Sequence, residues 1–402
     1  MLMMPLIPFL LILTGITLFL SRRRYTAVGA RVAPPRVVVK GNTFSEIAEK
    51  PQPKAVESRK TDNVRSACVI GAGPSGVLTA LVLAGQNPHV QFHVVDGDER
   101  RIAAWNSDRA PIGEPGVEEL LFKQDAVLVD SIKSHRKLQQ TDQGALPGHF
   151  PPPPRPRKLL NINFSTNVLG GIAAADLIFL SVDIPAITST EGQQHDLDLS
   201  NLDTAIRAIA QVSRGYKIIV QRGAAPCGTV PYIKKMLKET ASPSASFDVL
   251  SNPEFIFPGT MIHNLLYPPC VIIGHIFSED SSPEALTALK RLYTSWIPED
   301  RIVTMDAWSA ELGKIATHAL LAQQISAVNS LGLICKSTKA DFNHVTRILG
   351  MTQPVGLGLG ASTPMEVLCL ENMAKEIGLH NVSEYWSRVL GMNGPQQVVQ
   401  KS

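Results

Sequence analysis

Residues Ser66 to Arg101 read S-A-C-V-I-G-A-G-P-S-G-V-L-T-A-L-V-L-A-G-Q-N-P-H-V-Q-F-H-V-V-D-G-D-E-R-R. Ala67 to Ile70 is a short apolar run with strand character. Val77 to Ala84 continues as an apolar helix, and Gln91 to Val95 is a second strand ending at Asp96. Gly71, Gly73 and Gly76 fall on G-x-G-x-x-G between the first strand and the helix, completing one βαβ unit. Each glycine answers a steric demand. Gly71 permits the tight turn, Gly73 lets a pyrophosphate approach the backbone, and Gly76 lets the helix lie close to the strand. The helix N-terminus, with Ala72, Pro74 and Ser75 completing the loop, then holds the anion. Asp96, twenty residues beyond Gly76, stands where a carboxylate accepts hydrogen bonds from a ribose 2′-hydroxyl and repels a 2′-phosphate. The unit is therefore predicted to bind NAD in preference to NADP. The glycine pattern alone also fits a structural turn, but strand, helix and acid at these spacings favour the dinucleotide.

The chain has 402 residues, 44% hydrophobic and 18% charged, a globular composition with room for two or three domains. The formal net charge is +3, and Arg22, Arg23 and Arg24 alone supply three positive charges, so the remainder is balanced and nucleic-acid binding is not expected. The five cysteines (Cys68, Cys227, Cys270, Cys335 and Cys369) are widely spaced with no C-x-x-C pair. They read as free thiols in a reducing compartment and not as a metal site.

Met1 to Leu20 has no charged side chain and, as a helix, would be about 30 Å long, close to one hydrocarbon core. A transmembrane anchor over residues 1–21 is the first expectation. A cleaved signal peptide and a misplaced start are the alternatives, the signal being disfavoured because Arg22 to Arg24 follow the apolar run instead of preceding it. The positive-inside rule would then place the body in the cytosol. Residues 22–64 hold Pro34, Pro35, Pro51 and Pro53 without sustained periodicity and read as a flexible linker. Ser131 to Lys158, with prolines from Pro151 to Pro156, reads as a surface insertion. Leu177 to Val182, Lys217 to Val220 and Phe247 to Leu250 read as strands, alternating with helices over Leu202 to Val212 and Val230 to Leu237. The fold class is thus α/β, a doubly wound Rossmann sheet over residues 65–305. Ala307 to Lys336 is the longest helical pattern and opens an all-helical region over 306–402. Ligands of such sheets bind beyond the strands' carboxyl ends, which singles out Asp183, Arg222 and Glu254.

Taken together, several stretches resemble the UDP-glucose 6-dehydrogenase family, within the UDP-glucose and GDP-mannose dehydrogenases. They are V-I-G-A-G-P-S-G, P-I-G-E-P-G, A-D-L-I-F-L-S-V-D-I-P, V-L-S-N-P-E-F and W-S-A-E-L-G-K-I-A-T-H-A-L-L-A-Q-Q-I-S-A-V-N-S, in the family's order from about residue 66 to 395. The resemblance implies NAD-dependent oxidation of a nucleotide-sugar C6 alcohol in two steps through a cysteine thioester. It implies a cofactor held by Gly71, Gly73, Gly76, Asp96 and Arg101, with Val182, Asp183 and Pro185 lining it. Glu254 would lie at the substrate edge, Lys314 would be the catalytic lysine, and the long helix would form a homo-oligomer. Without the resemblance, Lys314 reads as a solvated helix charge.

The departures are as informative. The cysteine position is Ser362, a weaker nucleophile, so the second oxidation is expected to be impaired. The family's asparagine one turn after the lysine is His318, the aspartate is Glu366, and the threonine near the nicotinamide is Ala224. Ser362, His318 and Glu366 would form a rebuilt triad if brought into contact, with chance substitution as the plainer reading. The chain stops at Ser402, where the family would begin its nucleotide-gripping domain. The rival expectation is an inactive NAD-binding pseudoenzyme or interaction module.

Overall fold

A computed structural model describes residues 64–122, 159–188, 195–276, 283–351 and 364–392, together with a short antiparallel pairing of Val38–Val39 with Asn42–Thr43. Eight strands form the main sheet: β1 (Ser66–Ile70), β2 (Gln91–Val95), β3 (Ile162–Ser165), β4 (Leu177–Leu180), β5 (Gly215–Gln221), β6 (Ala245–Ser251), β7 (Val271–His275) and β8 (Ile302–Asp306). Their spatial order is β3-β2-β1-β4-β5-β6-β7-β8. β3 through β6 are mutually parallel. β7 then runs antiparallel to β6, and β8 pairs parallel with β7. Because the winding reverses between β1 and β4, a crevice opens at their carboxyl ends.

The helices in chain order are α1 (Pro74–Gln86), α2 (Glu99–Asn106), α3 (Val117–Leu121), α4 (Val168–Ala174), α5 (Ser200–Val212), α6 (Thr229–Thr240), α7 (Met261–Leu266), α8 (Pro283–Thr294), α9 (Ala307–Thr338), α10 (Phe342–Met351), α11 (Pro364–Glu376) and α12 (His380–Met392). One sheet face is covered through Val77, Leu78 and Leu81 of α1, Ile262 of α7 and Leu289 of α8. The other is covered through Ile172 of α4, Ile206 and Ile209 of α5, and Val230 and Ile233 of α6. Central strands buried on both faces are continuously apolar and cannot alternate, as Leu177–Leu180 illustrates.

Asp306 starts α9 by accepting the Ser309 N–H on its side chain at 2.8 Å. The helix has 32 residues, about 48 Å at 1.5 Å per residue. Its first turns rest on β7, where a Cβ on Gly274 would come within 2.6 Å of Ala310 Cβ. Further along, Ile315, Ala319 and Ala322 pack with Val367 and Leu370 of α11 and Val389 of α12. Among the described residues, the chain from 307 onward forms four helices and no strand. The periodicity of α9 suggests Ile334 as an inward position, yet Ile334 is exposed while Ala307, Glu311 and Lys314 are buried. Partner helices, and not hydrophobicity alone, choose the buried stripe.

The expected membrane-anchored, cytosol-facing placement is corrected here. Among the described residues no helix is long and apolar enough to cross a membrane. α9 has the length but carries Glu311, Lys314, His318 and Lys336, groups that a hydrocarbon core disfavours. Met1–Leu20, which prompted the anchor, lies outside the described residues, as do most of the linker and the proline-rich insertion.

Candidate active site

The glycine loop does what its spacing predicts. Gly71 has φ +109°, and a Cβ there would collide with the Ser181 carbonyl. A Cβ on Gly76 would collide with the Gly71 carbonyl and the Ser181 side chain. Gly73 has nothing within 4 Å of its missing Cβ, so the space above the N-terminus of α1 is open. The loop adjoins a cavity of about 570 Å³ at the β1–β4 switch point, lined by Gly71, Asp96, Arg101, Val182 and Asp183, among others. Asp96 accepts the Ala72 N–H at 2.8 Å and the Asp98 N–H at 2.9 Å, and pairs with Arg101 Nη1 at 3.0 Å. Its carboxylate therefore faces the crevice while shaping the loop. An open cradle, an acid at its rim and a helix N-terminus fit an NAD-type dinucleotide. Pro185 lies outside this lining; its carbonyl accepts the Asp198 N–H at 2.8 Å. That bond anchors a short ribbon of Ala186–Thr188 with His195–Leu197.

Behind the loop lies a buried polar network. Ser75 Oγ donates to Glu254 Oε1 and sits 3.3 Å from Ser181 Oγ. Glu254 Oε2 faces Arg222 Nε at 3.4 Å, with side-chain exposures of 7% and 4%. Arg222 also donates to Thr79 Oγ1 at 2.8 Å, Asn252 Oδ1 at 2.6 Å and Tyr293 Oη at 3.0 Å. Burial raises the Tyr293 phenol, and the neighbouring guanidinium partly opposes that. Glu254 thus joins the cofactor loop to the ends of β5 and β6.

The third group comes from the helical region. Lys314 is buried, and burial pulls its pKa below the usual lysine range; Glu254 and Glu366 pull the other way and Arg222 reinforces the fall. One turn later, His318 Nδ1 lies 3.1 Å from Glu366 Oε1, with side chains 11% and 3% exposed. Phe257 stacks on the imidazole at 5.6 Å between centroids and 25° between planes. His318 Nε2 is buried and has no hydrogen-bond partner among the described residues. Ser362 lies outside the described residues. Of the expected triad, only the histidine and the acid are seen together. Cys369 is buried, and burial, then Glu366, push its thiol up to about 12, so it is a poor nucleophile.

Two carboxylates escaped the sequence reading. Glu311 accepts the Gly228 N–H at 2.7 Å and the Val230 N–H at 2.9 Å, capping α6 from α9. Burial pushes its pKa up to about 8 against the pull of those amides. Glu114, within P-I-G-E-P-G, accepts from Gly259 N at 2.8 Å and Met261 N at 2.6 Å, pinning the segment that follows Glu254 and Phe257. An acid inside an apolar stripe was the available signal for Glu311. Nothing local marks Glu114. All five cysteines are free.

The sequence profile of the NAD binding domain of the UDP-glucose/GDP-mannose dehydrogenase family matches residues 65–143 and 156–297. The profile of that family's central domain matches 308–394. Among similar proteins, the UDP-glucose 6-dehydrogenase of Gallus gallus is 35% identical over 345 residues, covering 83% of this chain and 62% of the relative. That of Drosophila melanogaster is 34% identical over 341 residues, covering 82% and 64%. The chain therefore spans less than two thirds of these relatives' length. A UDP-glucose dehydrogenase structure from the archaeon Pyrobaculum islandicum shares the fold with a TM-score of 0.62 at 22% identity, covering 84% of this chain and 70% of the other.

Proposed function

The chain belongs to the UDP-glucose/GDP-mannose dehydrogenase family, and on that premise we propose that it oxidises the C6 alcohol of a nucleotide sugar such as UDP-glucose, using NAD. The observation that carries this reading is the place of Lys314 between Glu254, which is bonded to Ser75 of the cofactor loop, and Glu366, which is paired with His318. Gly71, Ala72, Gly73, Pro74, Ser75 and Gly76 would cradle the pyrophosphate, Asp96 and Arg101 the ribose, and Val182 and Asp183 the approach to the nicotinamide. The bound dinucleotide supplies the hydride acceptor. Lys314 steadies the charge that grows on the substrate oxygen, in a site where burial excludes competing water. Glu254, held from two sides, fixes the substrate edge. Ser362 stands where the second oxidation needs a thiolate, so the reaction is proposed to halt largely at the aldehyde. Exposed Leu320, Leu333 and Ile334 along α9 support the further proposal of a homo-oligomer.

The test is NADH formation by the full chain with UDP-glucose, product analysis for aldehyde against acid, and Ser362→Cys alongside. Wild type should yield aldehyde, and the cysteine variant should add acid. The serine also favours a second reading, an NAD-binding protein without turnover, which predicts NAD binding by calorimetry and silence from both variants. Absence of NAD binding would sink both readings.

A further inference from the structure

The geometry points to His318, oriented by Glu366, as the group that accepts the proton of the sugar hydroxyl while that alcohol is oxidised. The inference rests on the functional reading above. Converting a primary alcohol to an aldehyde breaks two bonds. The C–H bond breaks with its electron pair leaving as hydride to NAD⁺, and the O–H bond breaks with its electron pair closing the carbonyl and its proton going to a base. The cluster holds few candidates for that base. Arg222 stays protonated. Glu254 is engaged by Ser75 on one oxygen and faces Arg222 with the other. Glu366 has an oxygen committed to His318 at 3.1 Å.

His318 is built differently. The bond to Glu366 holds the hydrogen on Nδ1 and therefore leaves the Nε2 lone pair free to accept. The Phe257 ring, 5.6 Å away and nearly parallel, fixes the plane of the imidazole. Nε2 is buried and, among the described residues, accepts nothing, a state that polar atoms in folded proteins rarely hold without use. The imidazolium formed on proton transfer is stabilised by the carboxylate on its far side, as in other histidine and acid pairs. Lys314, four positions earlier on the same helix face, is placed to donate a hydrogen bond to the same oxygen. The two residues divide the work: the lysine lowers the cost of the alkoxide, and the histidine removes the proton. Glu366 is a positioning residue in this scheme.

The charged groups around the ring are Glu366 from α11, Lys314 from its own helix, and, around Lys314, Glu254 beyond β6 and Arg222 at the end of β5. A titration seen in the rate must therefore be assigned by variants.

The experiment compares full-length wild type, His318→Asn and Glu366→Gln. With ¹⁵N-histidine label and no NAD present, UDP-glucose should shift one unprotonated Nε2 resonance, and that resonance should be absent from His318→Asn. In kinetics, oxidation of UDP-glucose should rise with pH along a limb, while reduction of the corresponding 6-aldehyde by NADH should fall along the same limb. His318→Asn should slow oxidation by about 10²- to 10⁴-fold and erase both limbs, with NAD affinity by calorimetry unchanged. Glu366→Gln should displace the limb, because the amide oxygen still accepts from Nδ1 but no longer brings the charge that stabilises the imidazolium. A limb that survives in His318→Asn, or an Nε2 indifferent to the sugar while wild type turns over, overturns the assignment and leaves the dehydrogenase reading standing. Wild type silent in both directions overturns the functional reading and this inference with it.

Discussion

Arg222 offers the sharpest test of how the site is held. Replacing it with methionine keeps the volume and removes the ion pair to Glu254 together with bonds to Thr79, Asn252 and Tyr293. Tyr293 and Asn252 retain each other at 2.5 Å, and Asn252 Nδ2 keeps the Ile272 carbonyl at 2.8 Å, so these two are not stranded. Glu254 is, because its Oε2 has no hydrogen-bond partner among the described residues and loses the guanidinium that faces it, keeping only the more distant influence of Lys314. Breaking one side of a buried pair costs about 3–5 kcal/mol, and a hydroxyl left without its partner adds about 1 kcal/mol. Arg222→Met is therefore expected to lose about 4–6 kcal/mol in urea unfolding. Glu254→Gln should cost less, since the amide oxygen still accepts from Ser75 and Arg222 keeps three neutral partners. In the double variant no charge is stranded, so it should be more stable than the two single losses summed, with a coupling of about 2 kcal/mol or more. Strict additivity across this cycle would refute the claim that Arg222 holds Glu254, and with it the link from the glycine loop to the ends of β5 and β6.

Two further outcomes are expected. Gly76→Ala places a methyl against the Gly71 carbonyl and Ser181; overpacking of this kind costs about 1–3 kcal/mol, and NAD affinity by calorimetry should fall with it because the strain is released by moving the loop. Glu311 makes stability depend on pH. Its carboxyl rises from 4.5 to about 8 on folding, so between those values the folded state holds a proton that the unfolded chain has released. Stability is therefore greatest below the unfolded value and declines as pH rises through about 8, by up to about 5 kcal/mol at roughly 1.4 kcal/mol per pH unit. Urea melts at acidic, neutral and alkaline pH should show that slope in wild type and not in Glu311→Gln. An identical slope in the variant would assign the effect to another group.

The secondary structure was largely legible because strands and helices write their period into short windows. Gln91–Val95 stands where the alternation places it, and most other elements differ by a few residues at their ends. The sequence reading places no strand at β7, although Cys270 to Ile273 is an apolar run. Its antiparallel direction has no local signature at all.

The nucleotide half of this protein is written in local chain chemistry. A turn, a helix start and an acid within thirty-odd residues specify an anion cradle, because backbone sterics at Gly71 and Gly76 are local and the acid is carried there by the very next strand. The chemical half depends on contacts between distant segments. Ser75 meets Glu254 across 179 positions and Arg222 meets Thr79 across 143, distances that no periodicity spans. Those meetings follow from the strand order, which sets the chain after β5 and β6 beside the start of α1. That order is set by how buried faces fit one another, and no single stretch of chain encodes it.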